Sequence, residues 1–287
     1  MTRRHWMLST GAGVGTLSAY HLESAQQRRP EIPAIKLGVT SNSFGNADRP
    51  HLIEMARQLG APYLSLRDSN LPLTSTPEQL EQARKEFQDA RLTIASGGTI
   101  SFRLDDEQDI RSKFEYAKHA GMPMIICMPK LAILPKLGKF VEEFNIRIAV
   151  HNHVPENPHD TVYPTTESAL TVLRDMDPRC GVCIDIEHTV RSGLDVVRSI
   201  ASAGSRLFNL HMKDLKDPKI EGTQCDCGDG VMPFPAIFGQ LMKMAFEGYC
   251  DLEYEVRSGS LTVGVQRSFY YLRGTLAGVG FLRSQAG

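Results

Sequence analysis

Between Gly181 and Asp214 lie two apolar runs, Gly-Val-Cys-Ile-Asp-Ile-Glu-His (181–188) and Arg-Leu-Phe-Asn-Leu-His-Met-Lys-Asp (206–214), that turn polar only near their ends. A strand buried on both faces reads as a continuous apolar run, as in parallel sheets covered by helices. Polar groups that arrive only where such a run ends lie at the carboxyl rim of the sheet, where α/β folds bind ligands. Asp185, His188, His211, Lys213 and Asp214 are delivered to that rim.

The same alternation runs along the chain. Strands are expected at 35–40, 63–66, 92–95, 124–128 and 147–150, then at the two runs above, and last at 252–256. Between them the helical signals are specific. Leu52, Met55, Ala56 and Leu59 recur at three-and-four spacing and stop at Gly60, while Thr76-Pro77-Glu78 supplies a capping hydroxyl, a proline and an acid for a first turn. Further helices are expected at 105–119, 133–144, 165–176, 194–203, 233–246 and 265–277. Ser96-Gly97-Gly98-Thr99 reads as a strand exit where glycines let backbone approach a ligand. Strands alternating with helices imply right-handed βαβ units and a parallel sheet. Eight such units make an α/β fold, a single (β/α)8 TIM barrel over about residues 33–285. No G-x-G-x-x-G follows the first strand, as a dinucleotide-binding open sheet would have.

The first 25 residues stand apart as an N-terminal signal segment. Thr2-Arg3-Arg4-His5-Trp6-Met7-Leu8 is a twin-arginine pattern before a Gly/Ala/Ser-rich run, which predicts export of a folded protein to the periplasm. The run is too short and polar to span a bilayer, so no stable membrane insertion is expected after processing. The 287 residues carry a formal net charge of −1, without the basic stripe of a nucleic-acid binder. Six cysteines are read as unpaired, mostly buried thiols, with a Cys225/Cys227 bridge as the alternative.

On a barrel the strand ends offer His151 and His153, then Asp185 and His188, then His211, then Glu253 and Glu255. Residues two apart on a strand share a face, which pairs His151 with His153 and Glu253 with Glu255. Imidazoles and carboxylates converging from four successive strands form a mixed nitrogen and oxygen set that binds one divalent ion, Mn²⁺, Mg²⁺, Co²⁺ or Zn²⁺. An ion gripping a ketone oxygen lowers the barrier to removing the neighbouring proton. Glu255 or His153 is read as the base, His188 as a hydrogen bond to a substrate oxygen, and Lys213 and Arg191 as substrate contacts.

Five stretches carry a resemblance: His151-Asn152-His153-Val154-Pro155-Glu156, Asp185-Ile186-Glu187-His188-Thr189, His211-Met212-Lys213-Asp214, Gly228-Asp229-Gly230 with Phe234 to Phe238, and Leu252-Glu253-Tyr254-Glu255. They resemble the xylose-isomerase-like (β/α)8 superfamily of sugar isomerases, ketose 3-epimerases, inosose dehydratases and endonuclease IV type nucleases, and more closely its exported bacterial sugar phosphate isomerase/epimerase members. The resemblance implies one divalent metal on residues from strands 5 to 8, with Asp185, His211 and Glu253 on three of those positions. Epimerases carry a glutamate where this chain has His151, so His151, His153 or Glu156 could each be the fourth ligand. Relatives carry glycine where this chain has Glu187.

The expected activity is isomerisation or epimerisation of a free or keto sugar by proton abstraction next to a carbonyl, with a small-molecule sugar as partner and no nucleic acid. A dehydratase or keto-glycoside lyase would use the same site. An endonuclease IV-like phosphodiesterase and a non-catalytic sugar-binding barrel are the other readings. Homo-oligomerisation is left open.

Overall fold

The computed structural model describes residues 35–155, 163–256 and 259–286. Eight parallel strands close into a barrel: β1 (Lys36–Thr40), β2 (Tyr63–Leu66), β3 (Thr93–Phe102), β4 (Met124–Pro129), β5 (Arg147–His151), β6 (Cys180–Asp185), β7 (Leu207–Met212) and β10 (Tyr249–Leu252). Each pairs with its sequence neighbours, and β10 closes on β1 through Lys36 opposite Tyr249 and Val39 opposite Leu252. Between β7 and β10 the chain makes a short antiparallel ribbon, β8 (Asp214–Leu215) with β9 (Gln224–Cys225). Nine helices among the described residues surround the strands: α1 (Arg49–Leu59), α2 (Pro77–Asp89), α3 (Glu107–His119), α4 (Leu134–Phe144), α5 (Thr166–Leu173), α6 (Ile186–Arg191), α7 (Val196–Ala203), α8 (Phe234–Lys243) and α9 (Leu261–Ala286). None is long and apolar enough to cross a membrane. The expected twin-arginine segment lies outside the described residues.

The helix signals act as expected. Thr76 accepts from Gln79 N while the Gln79 side chain accepts from Thr76 N, a reciprocal cap that satisfies two otherwise orphaned amides at the start of α2. Gly60 ends α1 in the left-handed conformation, which a residue without Cβ adopts without strain.

Side chains alternate across each strand. Val150, Ile184, Leu210, Met212, Cys250 and Leu252 join the large core between strands and helices, with Phe87, Phe114, Phe140 and Phe238 from the helical layer. The intervening residues therefore face the barrel interior, where Met124, Ile126, Ala149, Cys183 and Phe208 form a second, small cluster. That inward row also contains Asn209, His211, Asp185, His151 and Asp251, all buried.

Four sequence expectations need correction. The strand expected over 181–188 ends at Asp185; His188 lies in the first turn of α6 rather than on β6, because Asp185 Oδ1 accepts from Glu187 N and His188 N and so starts a helix. The last strand is 249–252, not 252–256, so Glu253 and Glu255 follow it; Asp251 within the run hides its apolar character. Strand β3 continues through Ser96-Gly97-Gly98-Thr99 to Phe102. Its glycines serve the close approach of β3 to neighbours rather than to a ligand, since a Cβ at Gly97 would fall on Met122 Sδ and one at Gly98, with φ 132°, on Ile126 O. Finally, α9 runs 261–286, well beyond the 265–277 expected.

Candidate metal centre

Four inward or rim residues meet at the carboxyl end of the barrel. One ligand atom from each of His151, Asp185, His211 and Glu253 lies within 4.8 Å of the others, and all four residues are buried. His151 ends β5, Asp185 ends β6, His211 lies on β7 and Glu253 directly follows β10, its amide still donating to Met212 O. His151 Nε2 is 3.1 Å from His211 Nδ1 and 3.4 Å from Asp185 Oδ2. His211 Nδ1 is 2.9 Å from Glu253 Oε2.

Neighbours hold these groups in place. Asn152, between His151 at the end of β5 and His153 beyond it, accepts from Asp185 N at 2.8 Å and donates to Thr189 Oγ1, tying the exits of β5 and β6. Glu253 Oε1 accepts from Asn42 Nδ2 at 3.3 Å and from Arg67 Nη1 at 3.2 Å, and the same Nη1 reaches Thr99 Oγ1. Glu253 is thus held from the exits of β1 and β2 and from β3, leaving Oε2 turned to His211. Lys213, only 5% exposed, sets its ammonium 3.2 Å from Asp185 Oδ2, 2.9 Å from Glu253 Oε2 and 2.7 Å from Glu255 Oε2.

The charges follow from burial and these partners. Burial pushes the His151 pKa down to about 4 and that of His188 to about 3, so both imidazoles are neutral at pH 7. Burial opposes ionising Asp185 and Glu253 as well. Lys213 and the neighbouring imidazoles together outweigh it at Asp185, and His211, Lys213 and Arg67 together outweigh it at Glu253, holding both carboxyls well below their usual range. For Lys213, burial is overcome by Asp185, Glu253 and Glu255, which keep it charged.

The remaining predicted residues divide. His153 lies against His188 with ring centroids 3.9 Å apart and planes tilted by 42°, beside the cluster, and its Nδ1 donates to Val154 O. Glu255, with its side chain 40% exposed, joins through Lys213. Arg191 gives Nε to the buried Glu187 and Nη1 to the carbonyls of Pro218 and Ile220. Glu187 also takes Gln224 Nε2 at 2.5 Å, so the pair braces α6 against β9. Glu156, the alternative ligand, lies outside the described residues. Arg67, Thr99, Asn42 and Asn152 were not singled out in the sequence. Asn42, Arg67 and Asn152 carried a signal as polar residues just past strand ends, whereas Thr99 lies within β3.

The donor set fits a divalent ion. Asp185 Oδ2 is buried and accepts no conventional hydrogen bond, and two imidazole nitrogens face each other where only one can donate. Two nitrogens and two carboxylate oxygens on one centre suit Mn²⁺, Co²⁺ or Zn²⁺ and tolerate Mg²⁺. All six cysteines are unpaired and buried, and none belongs to this set.

Residues 53–283 match the family described as xylose isomerase-like TIM barrel. The chain belongs to that family. Among curated relatives, the rhizopine catabolism protein MocC of Rhizobium meliloti is 26% identical over 137 residues, covering 42% of this chain and 41% of that protein. An inosose dehydratase of Clostridium perfringens is 29% identical over 139 residues, 42% of this chain and 45% of the enzyme. These matches span less than half the length of either relative. Among solved structures, the D-psicose 3-epimerase of Clostridium cellulolyticum H10, determined with D-tagatose, has TM-score 0.70 at 16% identity and covers 84% of this chain and 99% of that one. At that identity the likeness is one of fold.

Proposed function

We propose that this protein is a divalent-metal-dependent enzyme that moves a proton at a carbon next to the carbonyl of a free or keto sugar, as an isomerase or epimerase. The observation that carries the reading is the buried convergence of His151, Asp185, His211 and Glu253 at the carboxyl rim. An ion held by these four would supply Lewis-acid polarisation of a substrate carbonyl. The chain's own groups do the rest. Glu255 is the base: it is the partly exposed carboxylate at the mouth, and its contact with Lys213 keeps it oriented. His153 and His188 lie together beside His151 as a tilted pair, His188 neutral and able to hydrogen-bond a substrate hydroxyl, His153 able to return the proton. Lys213 offsets three carboxylates, so the pocket is not left strongly negative against a developing enediolate. Arg191, engaged by Glu187, fixes the wall rather than the substrate.

Loss of water from the same intermediate is the second reading, favoured by the dehydratase among the curated relatives. The twin-arginine pattern supports placing the mature protein in the periplasm, which favours unphosphorylated sugars. The net charge of −1 favours a small-molecule substrate over a polyanion. The test is incubation with Mn²⁺ and a panel of free and 3-keto sugars in D₂O. Deuterium entering a carbon next to the carbonyl, with or without loss of water, separates epimerase from dehydratase. A metal-loaded protein that binds sugars without exchange on any of them would contradict the proposal.

A further inference from the structure

Arg67 directly follows β2 at the carboxyl rim, and groups from the neighbouring strands hold it there. Its amide donates to Ser41 Oγ at 2.8 Å, while Nη1 donates to Thr99 Oγ1 at 2.6 Å and to Glu253 Oε1 at 3.2 Å. The other oxygen of that carboxylate, Oε2, faces His211. A single carboxylate therefore separates the guanidinium from the four-residue cluster. Neither Nε nor Nη2 of Arg67 has a partner among the described residues, and neither is shut away from water; the side chain is 26% exposed, where that of Glu253 is 3%.

Nε–H and Nη2–H of an arginine are parallel donors in one plane, spaced to meet both oxygens of a carboxylate. Elsewhere on this barrel the chain fills that edge itself. Arg49 gives Nε and Nη2 to Glu86, and Arg179 gives the same two atoms to Asp177. At Arg67 the bonds from Nη1 fix the guanidinium and leave the fork to a ligand. A donor pair held in place beforehand loses little freedom when it binds.

Charge narrows the ligand further. Lys213 touches Asp185, Glu253 and Glu255, and Arg67 touches Glu253, so three carboxylates meet two cations. A divalent ion on the cluster would leave this group with one positive charge. A substrate carboxylate offsets that charge, and a phosphate dianion overshoots it.

We propose that Arg67 is a specificity-determining residue and that the substrate is a sugar acid, its carboxylate lying in the Nε–Nη2 fork of Arg67 and its carbonyl toward the cluster. This rests on the metal-dependent sugar reading above and narrows it to one substrate class. It also gives Arg67 a task beyond holding Glu253.

The test is calorimetric binding to the full chain at saturating Mn²⁺, after a titration has established Mn²⁺ uptake. The probes are matched pairs that differ only in a carboxylate against a hydroxymethyl group: gluconate with glucitol, galactonate with galactitol, ribonate with ribitol. Hydrogen bonds to a charged group are strong enough that wild type should bind at least one aldonate roughly 10- to 100-fold more tightly than its alditol. In Arg67→Gln that preference should fall to about 3-fold or less, and Arg67→Lys, which keeps the charge without the fork, should retain only part of it. The ratio within each pair is read for each protein separately, so a change in Mn²⁺ affinity through Glu253 does not enter it. A preference undiminished in both variants would mean that the ion or Lys213 reads the carboxylate, and would overturn the proposal. Tighter binding of glucitol 6-phosphate than of any aldonate would overturn it as well. A wild type that takes up Mn²⁺ but binds no aldonate more tightly than its alditol brings down this proposal alone; one that takes up no Mn²⁺ brings down the metal reading with it, and the titration shows that before any sugar is added.

Discussion

Replacing Asp251 by Asn should change how stability depends on pH. Burial raises the Asp251 pKa from 3.8 to about 6, against the opposing hydrogen bond from Asn209. A carboxyl that binds its proton more tightly when folded contributes stability below pH 3.8, and that contribution is lost as pH rises through about 6. Each tenfold change in an ionisation constant is about 1.4 kcal/mol, so the wild type carries roughly 3 kcal/mol of destabilisation at pH 8 that is absent in acid. Asparagine has no such charge. Its amide nitrogen replaces the oxygen against Gly38 and, left unpaired, costs about 1–3 kcal/mol at every pH. The difference between variant and wild type therefore moves toward the variant by about 2–3 kcal/mol from pH 4 to pH 8, whatever the constant offset. Urea unfolding of the chelated proteins at both pH values measures it. A difference that is flat with pH, or that moves toward the wild type, would refute the placement of an ionisable, desolvated carboxyl inside the barrel.

Asp185→Asn should retain the start of α6, because asparagine caps as well as aspartate, yet lose metal by more than the roughly 10- to 100-fold of an outer-group change; circular dichroism and Mn²⁺ titration together separate the two effects. Lys213→Met leaves Asp185, Glu253 and Glu255 facing one another, and unpaired buried charge costs about 3–5 kcal/mol. Urea unfolding should show that loss without metal and substantial recovery with saturating Mn²⁺. Phe114→Ala removes a ring packed on Phe102, Phe140 and Phe144 and should cost about 3–5 kcal/mol while leaving metal affinity unchanged.

The barrel was legible because its strands are apolar on both faces and its helices carry caps such as Thr76 and Gly60. Asp185, His211 and His151 were legible for the same reason, as polar groups arriving near the ends of apolar runs. That logic misleads at β10, where Asp251 interrupts the run and shifted the expected strand onto Glu253. It also carried β6 too far, since the aspartate that ends the strand begins a helix. Arg67 and Asn42 belong to the site through barrel closure, which sets the first strand beside the last. No local pattern encodes a contact between residues 42 and 253.

The proposed chemistry needs one ion among four side chains, and anomalous diffraction from crystals grown with Mn²⁺ measures that directly. One peak is predicted between His151, Asp185, His211 and Glu253, within about 2.0–2.3 Å of one atom of each. A fully bound protein with its peak elsewhere, or no peak at saturating Mn²⁺, would contradict it.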